Sequence, residues 1–333
     1  MRDAFFNSLL AEARKDESII VLSGDHGAFP LEQFAEELPD QYFNVGIAEQ
    51  NMISVAAGLA MVGRIPFVYG IAPFLGLRAI EQITVDVCAN GVGVNIVSVG
   101  AGFTYSTDGP THHGLQDLAV VSSIPGITLL NSSDPANTAD FVLQAVATRK
   151  PHYIRIEKEK LGNLARSEAF EITMALGFSL LASRGASKAV ILSSGIMTRV
   201  ALEAAEILWA DLGVIIDVVD LHQIAPFPEE LMPVLARYDS VYVVEDSYQS
   251  VIAREIALRG AQQTPPLPLR GVADAGPSFF FQGDSRDRLH DAAGLSGQAI
   301  AGMIRQDLRN TQNLGIRGDS SGLAGLHRLQ RDP

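Results

Sequence analysis

Among its 333 residues the sequence has one cysteine, Cys88, one tryptophan and no long apolar run. A lone thiol cannot close an internal disulfide, so the chain reads as one made for a reducing compartment, the cytoplasm. No window approaches the roughly 20 consecutive apolar residues that a bilayer needs. The N-terminal pattern Phe5, Phe6, Leu9, Leu10, Ala13 is an amphipathic helix interrupted by charge and lacks a signal-peptide core. Cations are scarce: 25 Lys and Arg stand against 38 Asp and Glu, a formal net charge of −13. That balance argues against nucleic acid and anionic membrane as partners, since either selects for a basic face. A Walker-type phosphate loop is missing, and Gly100-Ala101-Gly102 lacks the third glycine and the following helix of a dinucleotide fingerprint. His112 and His113 are adjacent, so they diverge, and with one cysteine in the chain no metal site is expected.

What is present is a globular composition, 47% apolar and 19% charged, over a length that suits two domains with proper cores. Short apolar runs at 18–23, 65–69, 92–99, 127–130 and 152–156 predict buried strands alternating with helices. Runs at 189–193, 214–220, 241–245 and 267–272 repeat the pattern. The expected fold class is therefore α/β, two domains each with a mostly parallel sheet flanked by helices. The first domain is placed at 1–160. A charged, weakly periodic linker opens around Glu157-Lys158-Glu159-Lys160 and fills 161–176. The second domain is placed at 177–309, and the polar, Gly-rich end, 310–333, reads as a flexible tail.

The chemistry gathers around Asn44-Val45-Gly46-Ile47-Ala48-Glu49-Gln50-Asn51-Met52. Glu49 enters a helix that is apolar nearly all round (Ile53, Val55, Ala56, Ala57, Leu59, Ala60, Met61, Val62), the pattern of a buried helix. With Gly46 as the expected N-cap, Glu49 is either a first-turn carboxylate offsetting the helix dipole or a functional acid. Asp25, in Gly24-Asp25-His26-Gly27, sits where a strand ends, as a ligand-facing acid or as an Asx-turn residue. The polar loop from Gly100 to Gly114 holds Asp108, His112, His113 and several hydroxyls. Imidazole is suited to moving protons or holding a substrate hydroxyl near neutral pH; the plainer alternative is a histidine bonded to its own turn.

Taken in order, Gly46-Ile-Ala-Glu49-Gln, Pro73-Phe74-Leu75 with Arg78-Ala-Ile-Glu-Gln-Ile, and Asp108-Gly-Pro-Thr-His112-His113-Gly114 resemble the pyrimidine-binding domain of the transketolase family. The Asp-Gly-Pro-Thr-His motif is also shared with deoxyxylulose phosphate synthases. The rest of the chain resembles, more loosely, the family's C-terminal domain, except that Asp246-Ser-Tyr-Gln-Ser250 stands where a glycine-rich turn is usual.

The resemblance implies thiamine diphosphate as cofactor. Glu49 shares a proton with the ring nitrogen of its aminopyrimidine and favours the imino tautomer, whose nitrogen takes the thiazolium proton. It implies that Phe74 stacks on that ring, with Leu77 where the family often has a second aromatic. Asp25 matches an acidic position near the thiazolium. Asp108, His112 and His113 face the sugar, and Arg78 and Arg155 are candidates for a distal phosphate or carboxylate.

The family's Gly-Asp-Gly motif with its downstream asparagine pair, which holds Mg²⁺ and the diphosphate, is missing. The resemblance therefore implies the C-terminal subunit of a split transketolase. Its partner, an N-terminal subunit carrying the metal half, completes a heterotetramer that transfers a two-carbon ketol unit between sugars. The alternatives are deoxyxylulose-phosphate-synthase-like or 2-oxoacid decarboxylating chemistry, or a non-catalytic scaffold subunit.

Overall fold

The computed structural model describes residues 1–25, 29–165, 176–181, 185, 187–262, 266–276 and 283–316. The chain begins with α1 (Arg2–Ala13), β1 (Ile19–Ser23), α2 (Phe29–Glu37), β2 (Tyr42–Asn44), α3 (Glu49–Met61) and β3 (Ile65–Ile71). A helical run from Phe74 to Cys88 follows, in which two π-type turns, Phe74–Arg78 and Ile83–Cys88, flank one α-turn, α4 (Ile80–Gln82). Then come β4 (Asn95–Val99), α5 (Asp117–Val121), β5 (Thr128–Asn131), α6 (Pro135–Thr148) and β6 (His152–Ile156). The second unit is β7 (Phe178–Leu181), β8 (Ala189–Ser193), α7 (Met197–Leu212), β9 (Asp217–Leu221), β10 (Gln223–Ala225) and α8 (Leu231–Leu235). It ends with β11 (Ser240–Val244), α9 (Val251–Gly260), β12 (Leu269–Ala273), α10 (Arg286–Ala293) and α11 (Gly297–Ile316).

Strands β1, β3, β4 and β6 are buried at every residue, which is why they read as unbroken apolar runs: helices cover both faces of a parallel sheet. The seven-stranded first sheet has the order β10-β5-β6-β4-β3-β1-β2, and the five-stranded second has β12-β11-β8-β9-β7. Among the described residues only the edge strands β10 and β7 run antiparallel. Local signals set the helix ends. Asp134 accepts from the Asn137 amide at 2.8 Å, the Asn137 side chain bonds back, and Pro135 opens α6: a capping box with proline in the first turn.

Strand β10 lies beyond the expected linker in sequence, yet it pairs with β5 at the edge of the first sheet. The two expected domains therefore share a sheet edge. One apolar cluster runs from Leu22, Val68 and Ile96 through Leu129, Ile224 and Phe227 to Val190 and Val243, joining the two sheets. Most of the expected linker, 166–175, lies outside the described residues. Helix α11 runs on to Ile316, past the expected start of the tail at 310; the remainder, 317–333, also lies outside the described residues.

Helix α3 departs from its expectation twice. Ala48 is the N-cap and Glu49 the first helical residue, while Gly46 turns the chain at φ 74°. The helix is also buried on one side only. Met52, Ile53, Ala56 and Ala57 face the core, whereas Val55, Gly58, Met61 and Val62 face outward, Val62 at 75% exposure. Among the described residues no helix is long and apolar enough to cross a membrane.

Candidate active site

The predicted residues leave neighbouring strands at their carboxyl ends, the edge at which open α/β sheets bind ligands. Asp25 follows β1, Glu49 follows β2, Phe74 and Arg78 follow β3, the loop from Gly100 to Gly114 follows β4, and Glu157 and Lys158 follow β6. Asn44 ties two of these turns together. Its Oδ1 accepts from the Asp25 amide at 3.1 Å and the Gly46 amide at 3.0 Å. Asp25 is held at φ 58°, a left-handed conformation that a short polar side chain tolerates.

From there the side chains form one continuous row. Arg78 Nη1 donates to Glu49 Oε2 at 2.8 Å, with Glu49 1% and Arg78 46% exposed. The Arg78 guanidinium lies 4.5 Å from the centre of the Phe74 ring. His112 meets Phe74 edge-on at 5.2 Å and lies 5.8 Å from Tyr105, over which the Lys158 ammonium sits at 4.9 Å. Leu77 is half-buried in the same π-type turn as Phe74. Asp108 is exposed, its amide bonded to the Tyr105 carbonyl at 2.8 Å. Glu49 Oε1 is buried and has no hydrogen-bond partner among the described residues. A cavity of 320 Å³ opens beside it, lined by Ile47, Ala48, Glu49, Gln50, Asn51 and Arg78. A larger surface cavity, 460 Å³, lies at the opposite ends of the strands, near Glu37, Asp40 and Arg64; none of its lining residues holds a buried unpartnered polar atom.

The two histidines diverge, as adjacent residues in a loop do. His112 faces Phe74. His113 turns inward, 6% exposed, 5.1 Å from the Phe103 ring, with Nε2 bonded to the Ser106 carbonyl at 3.1 Å; burial pushes its pKa down. One ring nitrogen of His113 is thus bonded within the loop, while Nδ1 is buried without a hydrogen-bond partner among the described residues.

Arg155 is the larger correction. Its side chain has no exposure: Nε donates to Asp117 at 3.2 Å, Nη1 to Asp246 at 2.9 Å and Nη2 to the Gly114 carbonyl. Burial alone would lower its pKa; Asp117 and Asp246 outweigh that and raise it further. Arg155 therefore does not present its charge to a substrate. It fastens the base of the loop, where Gly102 and Gly114 exchange amide-to-carbonyl bonds at 3.0 and 2.8 Å. Gly102, at φ 55°, packs so closely on the Asp246 carboxylate that a Cβ would collide with it. The Gly100-Ala-Gly102 signal thus reports a backbone approached by a buried acid. Asp246, part of the segment that departs from the family pattern, fills that place.

Sequence reasoning missed Asp117, Asp246, Glu157, Lys158 and Arg286. Glu157 and Lys158 looked like the start of a charged linker, yet Glu157 is 1% exposed. It accepts from Thr104 at 2.6 Å and from Arg286 of the second unit at 2.7 Å. Lys158 stays exposed, with its ammonium over the Tyr105 ring. A charged pair directly after an apolar strand run was the only signal available.

The family model described as "Transketolase, pyrimidine binding domain" matches residues 1–163, and that described as "Transketolase, C-terminal domain" matches residues 180–300. A 6-deoxy-6-sulfo-D-fructose transketolase subunit of Clostridium sp. (strain MSTE9) is 33% identical over 305 residues, 90% of this chain and 92% of that protein. A 1-deoxy-D-xylulose-5-phosphate synthase of Kitasatospora griseola is 34% identical over 294 residues, 87% of this chain but 44% of its own length. The solved structure described as "Split gene transketolase, inactive beta4 tetramer" superposes with a TM-score of 0.79 at 28% identity, covering 92% of this chain and 98% of that one. With both domain models in order and a subunit-length relative matched almost end to end, this chain belongs to the transketolase family, as its pyrimidine-binding and C-terminal domains.

Proposed function

We propose that the chain is the C-terminal subunit of a thiamine-diphosphate-dependent split transketolase, which moves a two-carbon ketol unit from a ketose to an aldose acceptor. The observation that carries the proposal is Glu49 Oε1, a buried carboxylate oxygen without a partner among the described residues, at a cavity whose wall includes Arg78, the residue that covers the Phe74 ring. A buried acceptor without a partner costs about 1–3 kcal/mol, so a donor entering the cavity beside Oε1 would be favoured there. A protonated ring nitrogen is such a donor, and Phe74 is a flat face for a ring to lie on; the residues present therefore fit an aminopyrimidine.

When bound, thiamine diphosphate supplies the carbon nucleophile that takes up the ketol unit. In this reading Glu49 Oε1 holds the proton on the ring nitrogen, in a pocket that the core face of α3 keeps from water. Phe74 and Leu77 orient the ring. His112 and Asp108 receive the sugar's hydroxyls and carbonyl end, with Asp25 across the turn. Arg155 is withdrawn from the substrate, and Lys158, over Tyr105, meets the anionic tail of the sugar, phosphate or sulfonate.

The partner is an N-terminal subunit that brings Mg²⁺ and the diphosphate site, in a heterotetramer. Ile47, two residues before Glu49, is 73% exposed, and Val55, Met61, Val62 and Val85 are exposed as well, apolar surface that such a subunit would cover.

Glu49→Gln in the complex with the partner is expected to lower turnover by at least about a hundredfold while gel filtration shows association unchanged. Preserved turnover, or tight cofactor binding and turnover by this chain alone, overturns the proposal. Identity with a deoxyxylulose phosphate synthase favours a second reading. Pyruvate separates the two, because a ketol transferase leaves it untouched.

A further inference from the structure

Arg78 stands in a place that the proposed function does not account for. Its guanidinium bonds Glu49 Oε2 and covers the Phe74 ring, the two groups that an aminopyrimidine needs at once. Phe74 is partly buried against the apolar cluster that holds Phe6, Tyr69 and Val99, and Arg78 covers its ring at 4.5 Å. The cavity beside Glu49 has Arg78 in its wall. At 46% exposure on a π-type turn, Arg78 is free to swing outward, whereas Glu49, 1% exposed at the first position of α3, is not.

We propose that Arg78 is a clasp on the half-site: in the subunit without cofactor it neutralises Glu49 and shields Phe74, and the aminopyrimidine must displace it from the ring to bind. The inference rests on the cofactor reading of Glu49 and adds a positioning residue to it. Physically it is a competition for one aromatic face, while Arg78 on Glu49 Oε2 also lessens the charge that Oε1 offers an incoming donor. The clasp spares the lone subunit a buried unpaired charge, and for that reason it weakens cofactor affinity.

The test uses the two-subunit complex, with thiamine diphosphate and Mg²⁺ titrated while protein fluorescence reports binding, in wild type, Arg78→Met, Arg78→Lys and Glu49→Gln. A half-exposed ion pair and a surface cation–π contact together predict that Arg78→Met binds cofactor roughly five- to thirtyfold tighter. Arg78→Lys, which keeps the charge without the flat fork, is expected to fall between Arg78→Met and wild type. The isolated Arg78→Met subunit is expected to melt at a lower temperature, because Glu49 loses its counter-charge. Equal or weaker cofactor binding by Arg78→Met while Glu49→Gln also binds poorly overturns the clasp and leaves the cofactor reading standing. Unchanged binding by Glu49→Gln overturns both.

Discussion

His152 shows how much one buried side chain decides. It lies in β6 with Nδ1 3.0 Å from Asn95 Oδ1 and Nε2 3.2 Å from Thr148 Oγ1, and burial pushes its pKa from 6.5 down to about 4. The unfolded chain takes up a proton below about 6.5, and the folded chain resists until about 4. Stability therefore rises with pH between those values and is lost as pH falls through them, by on the order of 3 kcal/mol for this group. Replacing His152 with Asn, which keeps a donor toward Asn95, is expected to flatten the slope of urea midpoints between pH 4 and 6.5. An unchanged slope would place the acid sensitivity elsewhere. At this scale the sequence was partly legible. Glu49, Phe74 and His112 are adjacent to their partners because short motifs place them at successive strand ends. That His113 faces inward and His112 outward depends on which ring finds Phe103 and which finds Phe74, a fact of packing.

Elements carry the site through the loop after β4. Its base is a pair of reciprocal backbone bonds between Gly102 and Gly114, and three groups brace it: Arg155 on the Gly114 carbonyl, Glu157 on Thr104 and Asp246 against Gly102. Gly102→Ala adds a Cβ both at a left-handed backbone position and into the Asp246 carboxylate. It is expected to cost about 2 kcal/mol of stability, read from the denaturant midpoint of the subunit, and to lower turnover of the complex by loosening His112. Wild-type stability in that variant would show that the loop base yields freely. The length and polarity of this loop marked it in the sequence as functional. Its brace was not visible there, because Asp246 is distant in the chain and its neighbours read as a departure from a pattern. Helix α3 gives the converse lesson. Its all-round apolar composition predicts burial, and the fold buries one side only, leaving Val55, Met61 and Val62 exposed.

Across the whole molecule the two sheets are held by an apolar cluster, by β10 crossing to the first sheet, and by buried ion pairs. Arg155 joins Asp117 of the first unit to Asp246 of the second with every partner buried. Arg155→Met leaves two carboxylates without a counter-charge, and the expected loss is about 3–5 kcal/mol. Lys158→Met, at the same strand end but exposed, is expected to leave stability unchanged and to weaken binding of an anionic sugar. Equal stability losses in the two variants, read from chemical denaturation, would contradict this division of labour.

The order of apolar runs and turns was enough, by itself, to determine two α/β units and the residues at their strand ends, because period and local turn chemistry are properties of neighbours in the chain. Tertiary structure alone decided which arginine is buried and which cation stays exposed, since desolvation depends on residues that meet only after folding. It likewise decided that a strand of the second unit completes the first sheet, because edge pairing joins backbone groups that no local pattern links.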